Sequence, residues 1–196
     1  MAFLYIIRHA ESEANIAFLK GLPVEGGALD SPVSERGFEQ IKKLRDFLEE
    51  AFRGKEVICF TSPLQRAIHT SKSIEREVNV LEELREIRDV KNEDVTSRIY
   101  KVIDIIHKKR EEYPNRPVVL FTHSLFINAL VTVLLGEGYN RRGRFDGIVR
   151  YYTGNTGITA LYHKGNSWRL LAHNYLHHLP TNLVSGTPLL LMSEEK

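Results

Sequence analysis

Leu4-Tyr5-Ile6-Ile7-Arg8-His9-Ala10-Glu11-Ser12-Glu13-Ala14-Asn15 is the stretch whose reading decides the fold. It begins inside an apolar run, Phe3 to Ile7, which is short and rich in β-branched and aromatic residues and so reads as a buried strand. Immediately afterwards the chemistry changes to Arg, His, Glu, Ser and Asn. A polar cluster at the C-terminal end of a buried strand is where open α/β sheets hold their ligands. The pattern predicts a short helix from about Ser12, with its free N–H groups and positive dipole end facing the same crevice. An anion, most simply a phosphate, suits that position. Buried Arg-His pairs also occur as satisfied structural groups, so this stretch alone leaves both readings open.

Working outward, two more apolar runs end in the same way. Val57 to Thr61 (VICFT) reads as a second buried strand, followed by Ser62 as an N-cap and Pro63 at the first helical position. That places Arg66 in the first turn of a helix, where its guanidinium reaches back over the strand end. Val118 to Thr122 (VVLFT) reads as a third, followed by His123, Ser124 and a helix from Leu125 to Leu135. Between them, Ile16 to Leu29 reads as a loop after the short helix. Ser34 caps a long helix whose Phe38, Ile41, Leu44, Leu48 and Ala51 face the sheet. Asn79 to Leu81 suits a short edge strand, and Val95, Ile99, Val102, Ile103 and Ile106 mark a helix ending near Tyr113-Pro114. Asn155 to Tyr162 and Ser167 to Ala172 read as a hairpin joined by Lys164-Gly165-Asn166. Apolar strands alternating with amphipathic helices predict one α/β domain over residues 1–196, a three-layer α/β/α sandwich with the strands at Phe3, Val57 and Val118 central and adjacent.

The 196 residues, 42% hydrophobic and 27% charged, have the composition of a soluble globular chain. A net charge of +2 gives no reason to invoke nucleic acid or an anionic membrane. The single cysteine, Cys59, cannot form an internal disulfide, and a reducing cytoplasm is the expected location. With a strand starting at the first Met, no secretory signal is expected, and no apolar run approaches membrane-spanning length.

The run around Arg8-His9 resembles the "RHG" signature of the histidine phosphatase superfamily, the phosphoglycerate mutase-like proteins, with Ala10 where the family usually has Gly. Asp30 to Gly37 resembles its "D-x-P-L-T-x-x-G" segment, Thr61 to Ala67 its "S-S-P-L-x-R-A", His123-Ser124 its "V-x-H-G" element with Ser for Gly, and Asn155 to Thr159 its late "N-x-S/G-I-T" strand. The resemblance covers nearly the whole chain. It implies that His9 is phosphorylated and that Arg8, Arg66, His123, Asn15 and Ser124 contact the phosphoryl group, while Ser12 adds a hydroxyl or caps the helix. The family's "L-x-E" proton donor falls on Glu86 in Leu84-Arg85-Glu86; Glu83 in Leu81-Glu82-Glu83 has the same spacing, and Asp89 or Glu93 come next. After Glu86 only Asp89 to Asn92 precede the next helix, so the lid subdomain of many members is reduced and the site more open.

The chemistry is coherent without the family. Phosphoryl transfer needs an in-line nucleophile, positive charge on the equatorial oxygens and an acid for the leaving group. A neutral His9 can attack phosphorus, Arg8 and Arg66 offer planar forks matched to phosphate, a protonated His123 adds a donor, and Glu86 can protonate the departing alcohol. The expected function is hydrolysis of phosphomonoesters through a phosphohistidine, with no metal and no cofactor. The alternatives are a cofactor-dependent phosphoglycerate mutase-type phosphotransferase and a non-catalytic member that binds phosphorylated ligands. The expected partner is a small phosphorylated substrate, though a phosphoprotein also fits. Arg141, Arg142, Arg144 and Arg150 form a solvated loop or an anion-attracting rim. Leu189 to Met192 suit packing on a second copy, a homodimer. His69, His173, His177 and His178 are read as structural.

Overall fold

The computed structural model describes residues 2–23, 30–87, 94–136 and 151–186. Its strands are β1 (Ala2–Arg8), β2 (Ile58–Thr61), β3 (Val78–Val80), β4 (Val118–Thr122), β5 (Ile158–Lys164) and β6 (Ser167–Tyr175). Its helices are α1 (Glu13–Leu19), α2 (Glu35–Ala51), α3 (Gln65–Ser71), α4 (Val95–Glu112) and α5 (Ser124–Leu134), with 3-10 turns at Glu82–Leu84 and Thr181–Leu183. The strands form a single sheet in the order β3-β2-β4-β1-β5-β6. The three expected strands are therefore adjacent and central. β1 and β2 both run parallel to β4, in register Leu4 with Val118 and Ile58 with Val118. β3 is the edge strand expected, parallel to β2. β5 pairs antiparallel with β1, and β6 closes the hairpin through Gly165 at φ +62°.

All five residues of β4 are buried, and their alternation builds two cores. Leu4, Ile6, Val118 and Leu120 face α4 and α5, packing on Ile99, Val102, Phe126 and Leu130. Ile7, Cys59, Val119 and Phe121 face α2, packing on Leu44, Leu48 and Phe52. A strand buried on both faces reads as a continuous apolar run because each face has its own helical layer. The result is the expected three-layer sandwich. The expectation of a reduced lid falls on residues 88–93, which lie outside the described residues, as do the arginine-rich loop and Leu189 to Met192.

Two local expectations are corrected. Ser62 is not the N-cap of α3: the helix starts at Gln65 with Leu64 in the cap position. Ser62 Oγ is engaged instead with His123 Nε2 at 2.8 Å, while also accepting from Leu64 N–H at 3.3 Å. A tertiary bond has taken the hydroxyl that local preference assigned to capping. Arg66 keeps its place in the first turn. Phe38 is 48% exposed, so the buried face of α2 runs through Gly37, Gln40, Ile41, Leu44 and Leu48 instead. Ser34 is the N-cap of this helix, its Oγ accepting from Gly37 N–H at 3.1 Å.

Candidate active site

Because β1, β2 and β4 are mutually parallel, their C-terminal ends meet on one edge of the sheet. His9 N–H continues the ladder by donating to Thr122 O at 2.9 Å, and Ser62 N–H donates to Phe121 O at 2.9 Å. Three residues separated by most of the chain, His9, Ser62 and His123, are thereby brought together. Arg8, His9, Ser12, Ala14, Asn15, Phe18, Leu22, Arg66 and Glu86 line one cleft of about 270 Å³. His123 lies fully buried behind it, its ring centroid 5.0 Å from that of His9. Ser124, expected as a phosphate contact, is the first residue of α5, does not line this cleft, and accepts the Asn128 amide on its carbonyl at 2.9 Å.

His9 is 3% exposed. Its Nδ1 is 2.7 Å from Ala10 O, a contact in which Nδ1–H must donate, since a carbonyl only accepts. Nε2 then carries the lone pair, and Arg66 Nε donates to it at 3.2 Å. Burial, then the neighbouring His123, Arg8 and Arg66, hold the His9 pKa well below its usual value, opposed by the Ala10 carbonyl. The ring is neutral at physiological pH. His123 is held down in the same way, by burial first and then by Arg66 and Arg8. Nε2 of His123 lies on Ser62 Oγ and Nδ1 is buried without a partner among the described residues; these surroundings favour the neutral ring, whereas the sequence reading has it protonated beside a phosphate dianion.

Arg8 donates from Nη1 to Thr153 O and to Gly186 O. Burial lowers its pKa to about 10, partly countered by Glu86, so it keeps its charge. Its Nε is buried and unpartnered among the described residues. Buried donors of this kind call for an acceptor, which an anion in the cleft would supply. The carboxylate of Glu86 accepts from the backbone N–H groups of Ile87 at 3.0 Å, Phe126 at 3.2 Å and Leu125 at 3.4 Å. Desolvation nevertheless wins, and its pKa is raised. Glu83 sits on the neighbouring 3-10 turn and does not line the cleft.

Ser12 is the N-cap of α1, in a reciprocal box with Asn15: Asn15 N–H donates to Ser12 Oγ at 3.4 Å, and Ser12 N–H to Asn15 Oδ1 at 3.2 Å. Several supporting residues were not foreseen from the sequence. Thr70 Oγ1 accepts from Ala10 N–H at 2.8 Å and donates to Arg66 O at 2.6 Å, tying the strand-end loop to α3. Gln40 accepts from Glu11 N–H at 2.8 Å and donates to Leu183 O and Ser185 Oγ. Asn155 donates to His9 O and Asn15 Oδ1, both at 3.1 Å. All three are fully buried amides or hydroxyls; Asn155 opens a segment that resembles a family motif, whereas nothing in the sequence marks Thr70 or Gln40. Of the six other histidines, His69, His173, His177 and His178 are those the sequence marks as structural. His173 contacts Thr159 Oγ1 and Tyr152 O, and His178 contacts Thr156 Oγ1. No group that could hold a metal ion occurs among the described residues.

Comparison with known proteins points the same way. A family model described as the histidine phosphatase superfamily (branch 1) matches residues 4–90 and 88–176. The adenosylcobalamin/alpha-ribazole phosphatase of Salmonella typhi is 32% identical over 114 residues, 56% of this chain and 50% of that protein. Its Salmonella typhimurium counterpart is 34% identical over 108 residues, 48% of this chain and 50% of that protein. The aligned part thus spans about half the length of these curated relatives. The crystal structure of phosphoserine phosphatase from Entamoeba histolytica, in complex with 3-phosphoglyceric acid, shares the fold with a TM-score of 0.70 at 23% identity, covering 92% of this chain and 100% of that one. A mycobacterial glucosyl-3-phosphoglycerate phosphatase shares it with a TM-score of 0.69 at 23% identity, covering 89% and 99%.

Proposed function

This chain belongs to the histidine phosphatase superfamily, and we propose that it hydrolyses phosphomonoesters in two steps through a phosphohistidine at His9. The observation that carries the reading is the bonding around His9. Ala10 O accepts a hydrogen bond from Nδ1–H, so Nε2 carries the lone pair, which faces the Arg66 guanidinium in the cleft that also holds Arg8 and Glu86. Nε2 attacks phosphorus while the bond to the alcohol oxygen breaks. Arg8 and Arg66 hold the equatorial oxygens, and His123 donates from Nδ1. Glu86, as the carboxylic acid, gives its proton to the leaving oxygen. The resulting carboxylate then takes a proton from water, whose oxygen attacks phosphorus. The N–P bond breaks, releasing inorganic phosphate and neutral His9.

The two guanidiniums supply the charge that a divalent metal supplies in other phosphoryl transfers, so activity is expected to survive a chelator. The substrate class is a small phosphorylated molecule. A cytoplasmic location is supported by Cys59, a lone buried thiol, and no helix among the described residues is long and apolar enough to cross a membrane. The test is hydrolysis of p-nitrophenyl phosphate. Wild type is expected to turn it over with EDTA present, and His9→Ala to lose roughly 10³-fold or more in kcat. A His9→Ala protein that retains wild-type turnover would overturn the proposal.

A further inference from the structure

Helix α1 carries Asn15 and its cap into the site, yet it buries none of its own residues. Phe18 is 82% exposed and Leu22 is 56% exposed. Ala14, Phe18 and Leu22 follow one another at intervals of four, on one stripe of the helix and its exit. Leu22 is not a loose end: its N–H donates to Ala17 O at 2.8 Å and that of Gly21 to Phe18 O at 3.1 Å. With Gly21 at φ +64°, this is a glycine-terminated helix end that folds the next residue back on the helix. All three apolar residues line the same cleft as His9 and Glu86. The cleft therefore has two ends of opposite chemistry: guanidinium and imidazole at the sheet edge, hydrocarbon along α1.

We propose that Phe18 and Leu22 form the subsite for the alcohol part of the substrate, and that this part is a small uncharged group with an apolar or aromatic face. The assignment rests on the His9 reading, because that reading says which end of the cleft takes the phosphoryl group. Both cleft-lining guanidiniums belong to the phosphoryl end. Arg66 is bonded to His9 Nε2, and Arg8 is anchored on the Thr153 and Gly186 carbonyls. Among the described residues, a second anionic group laid against Phe18 and Leu22 would lose hydration and meet hydrocarbon. A cleft of about 270 Å³ also falls just below the size that takes drug-like ligands, roughly 300–1,000 Å³. A phosphoryl group with a handful of carbons fits it.

Alkylphosphonates test this by binding alone, because their P–C bond is not hydrolysed. Hexylphosphonate is expected to bind wild type about tenfold more tightly than ethylphosphonate in calorimetry, each methylene being partly removed from water. 3-Phosphonopropanoate is expected to bind no better than ethylphosphonate. In Phe18→Ser/Leu22→Ser the hexyl-to-ethyl ratio should fall to near one; both positions are exposed, so the core is untouched. Equal affinities in wild type, tightest binding of the carboxylate compound, a preference that persists in the double variant, or no binding of either alkylphosphonate would each overturn the proposal. Hydrolysis of hexyl and ethyl phosphate separates the two readings. Turnover without an alkyl preference sinks the subsite and leaves the His9 assignment standing. An alkyl preference in binding without turnover of either ester sinks the His9 assignment and supports the subsite.

Discussion

Glu86 shows how one side chain can be prepared to act as an acid. Three backbone N–H groups favour its carboxylate, two of them from the start of α5, while burial favours its neutral form and prevails. The leaving group decides how much that matters. An alkoxide needs a proton, whereas nitrophenolate leaves almost unaided. Glu86→Gln is therefore expected to slow phosphorylation by alkyl phosphates ~10²–10⁴-fold and by p-nitrophenyl phosphate far less. Burst kinetics separates that step from the hydrolysis step, where the same carboxylate acts as base. Glu83→Gln, on the adjacent turn, should change neither; the reverse pattern would exchange the two roles. The pH profile follows from the same shifts. His9 must be neutral and its pKa is well below 6.5, while Glu86 must be protonated and its pKa is above 4.5. For an alkyl phosphate, kcat/KM should fall as pH rises through the raised Glu86 pKa, and Glu86→Gln should remove that limb. Sequence spacing alone could not separate Glu83 from Glu86, because only the fold shows which carboxylate turns into the cleft.

At the scale of elements, the strap after His9 is held by α2 and α3. Gly37 lets the first turn of α2 lie against the Glu11 carbonyl: a Cβ there would stand 2.2 Å from Glu11 O and 2.6 Å from Val33 Cγ1. The obstacle on one side is backbone, which cannot swing away. Gly37→Ala is expected to destabilise the protein by roughly 2 kcal/mol, read from urea unfolding at constant m-value, and to lower kcat by displacing the loop that carries His9. Unchanged stability would show that α2 can shift freely. The elements themselves were legible because strong local signals agreed with the fold. Abrupt ends of apolar runs marked β1, β2 and β4, and Ser34 marked the start of α2. The start of α3 was misread because Ser62 belongs to His123, a partner 61 residues away that no local pattern reveals.

Across the whole molecule, the site is knitted from both ends of the chain. Arg8 reaches Gly186, Gln40 reaches Ser185, and Asn155 reaches His9. These buried polar partners are hard to see in a sequence because amide and hydroxyl side chains carry no periodic signature. The apolar pattern that encodes the layers says nothing about them. The same burial gives the molecule a pH dependence. His9, His123, His173 and His178 all have lowered pKa values, His178 to about 4. As pH falls below 6.5, the unfolded chain takes up protons that these folded rings refuse, and stability is lost; for His178 that window runs down to about 4. Glu86, with a raised pKa, works in the opposite direction nearer pH 4.5, but it is one group against these four and His163, whose pKa is also lowered. Tm is expected to be lower at pH 5 than at pH 7 by roughly 5 °C or more. A Tm that rises on acidification would contradict the neutral state assigned to these rings.

The central claim is that His9 carries the phosphoryl group, and trapping the covalent intermediate tests it most directly. Wild-type protein mixed with a ³²P-labelled phosphomonoester and quenched rapidly in alkali should retain label that is stable to base and lost in acid. Mass spectrometry of the digest should place that phosphate on His9. Label on a serine or on another histidine, or steady turnover with no adduct at any quench time, would contradict it.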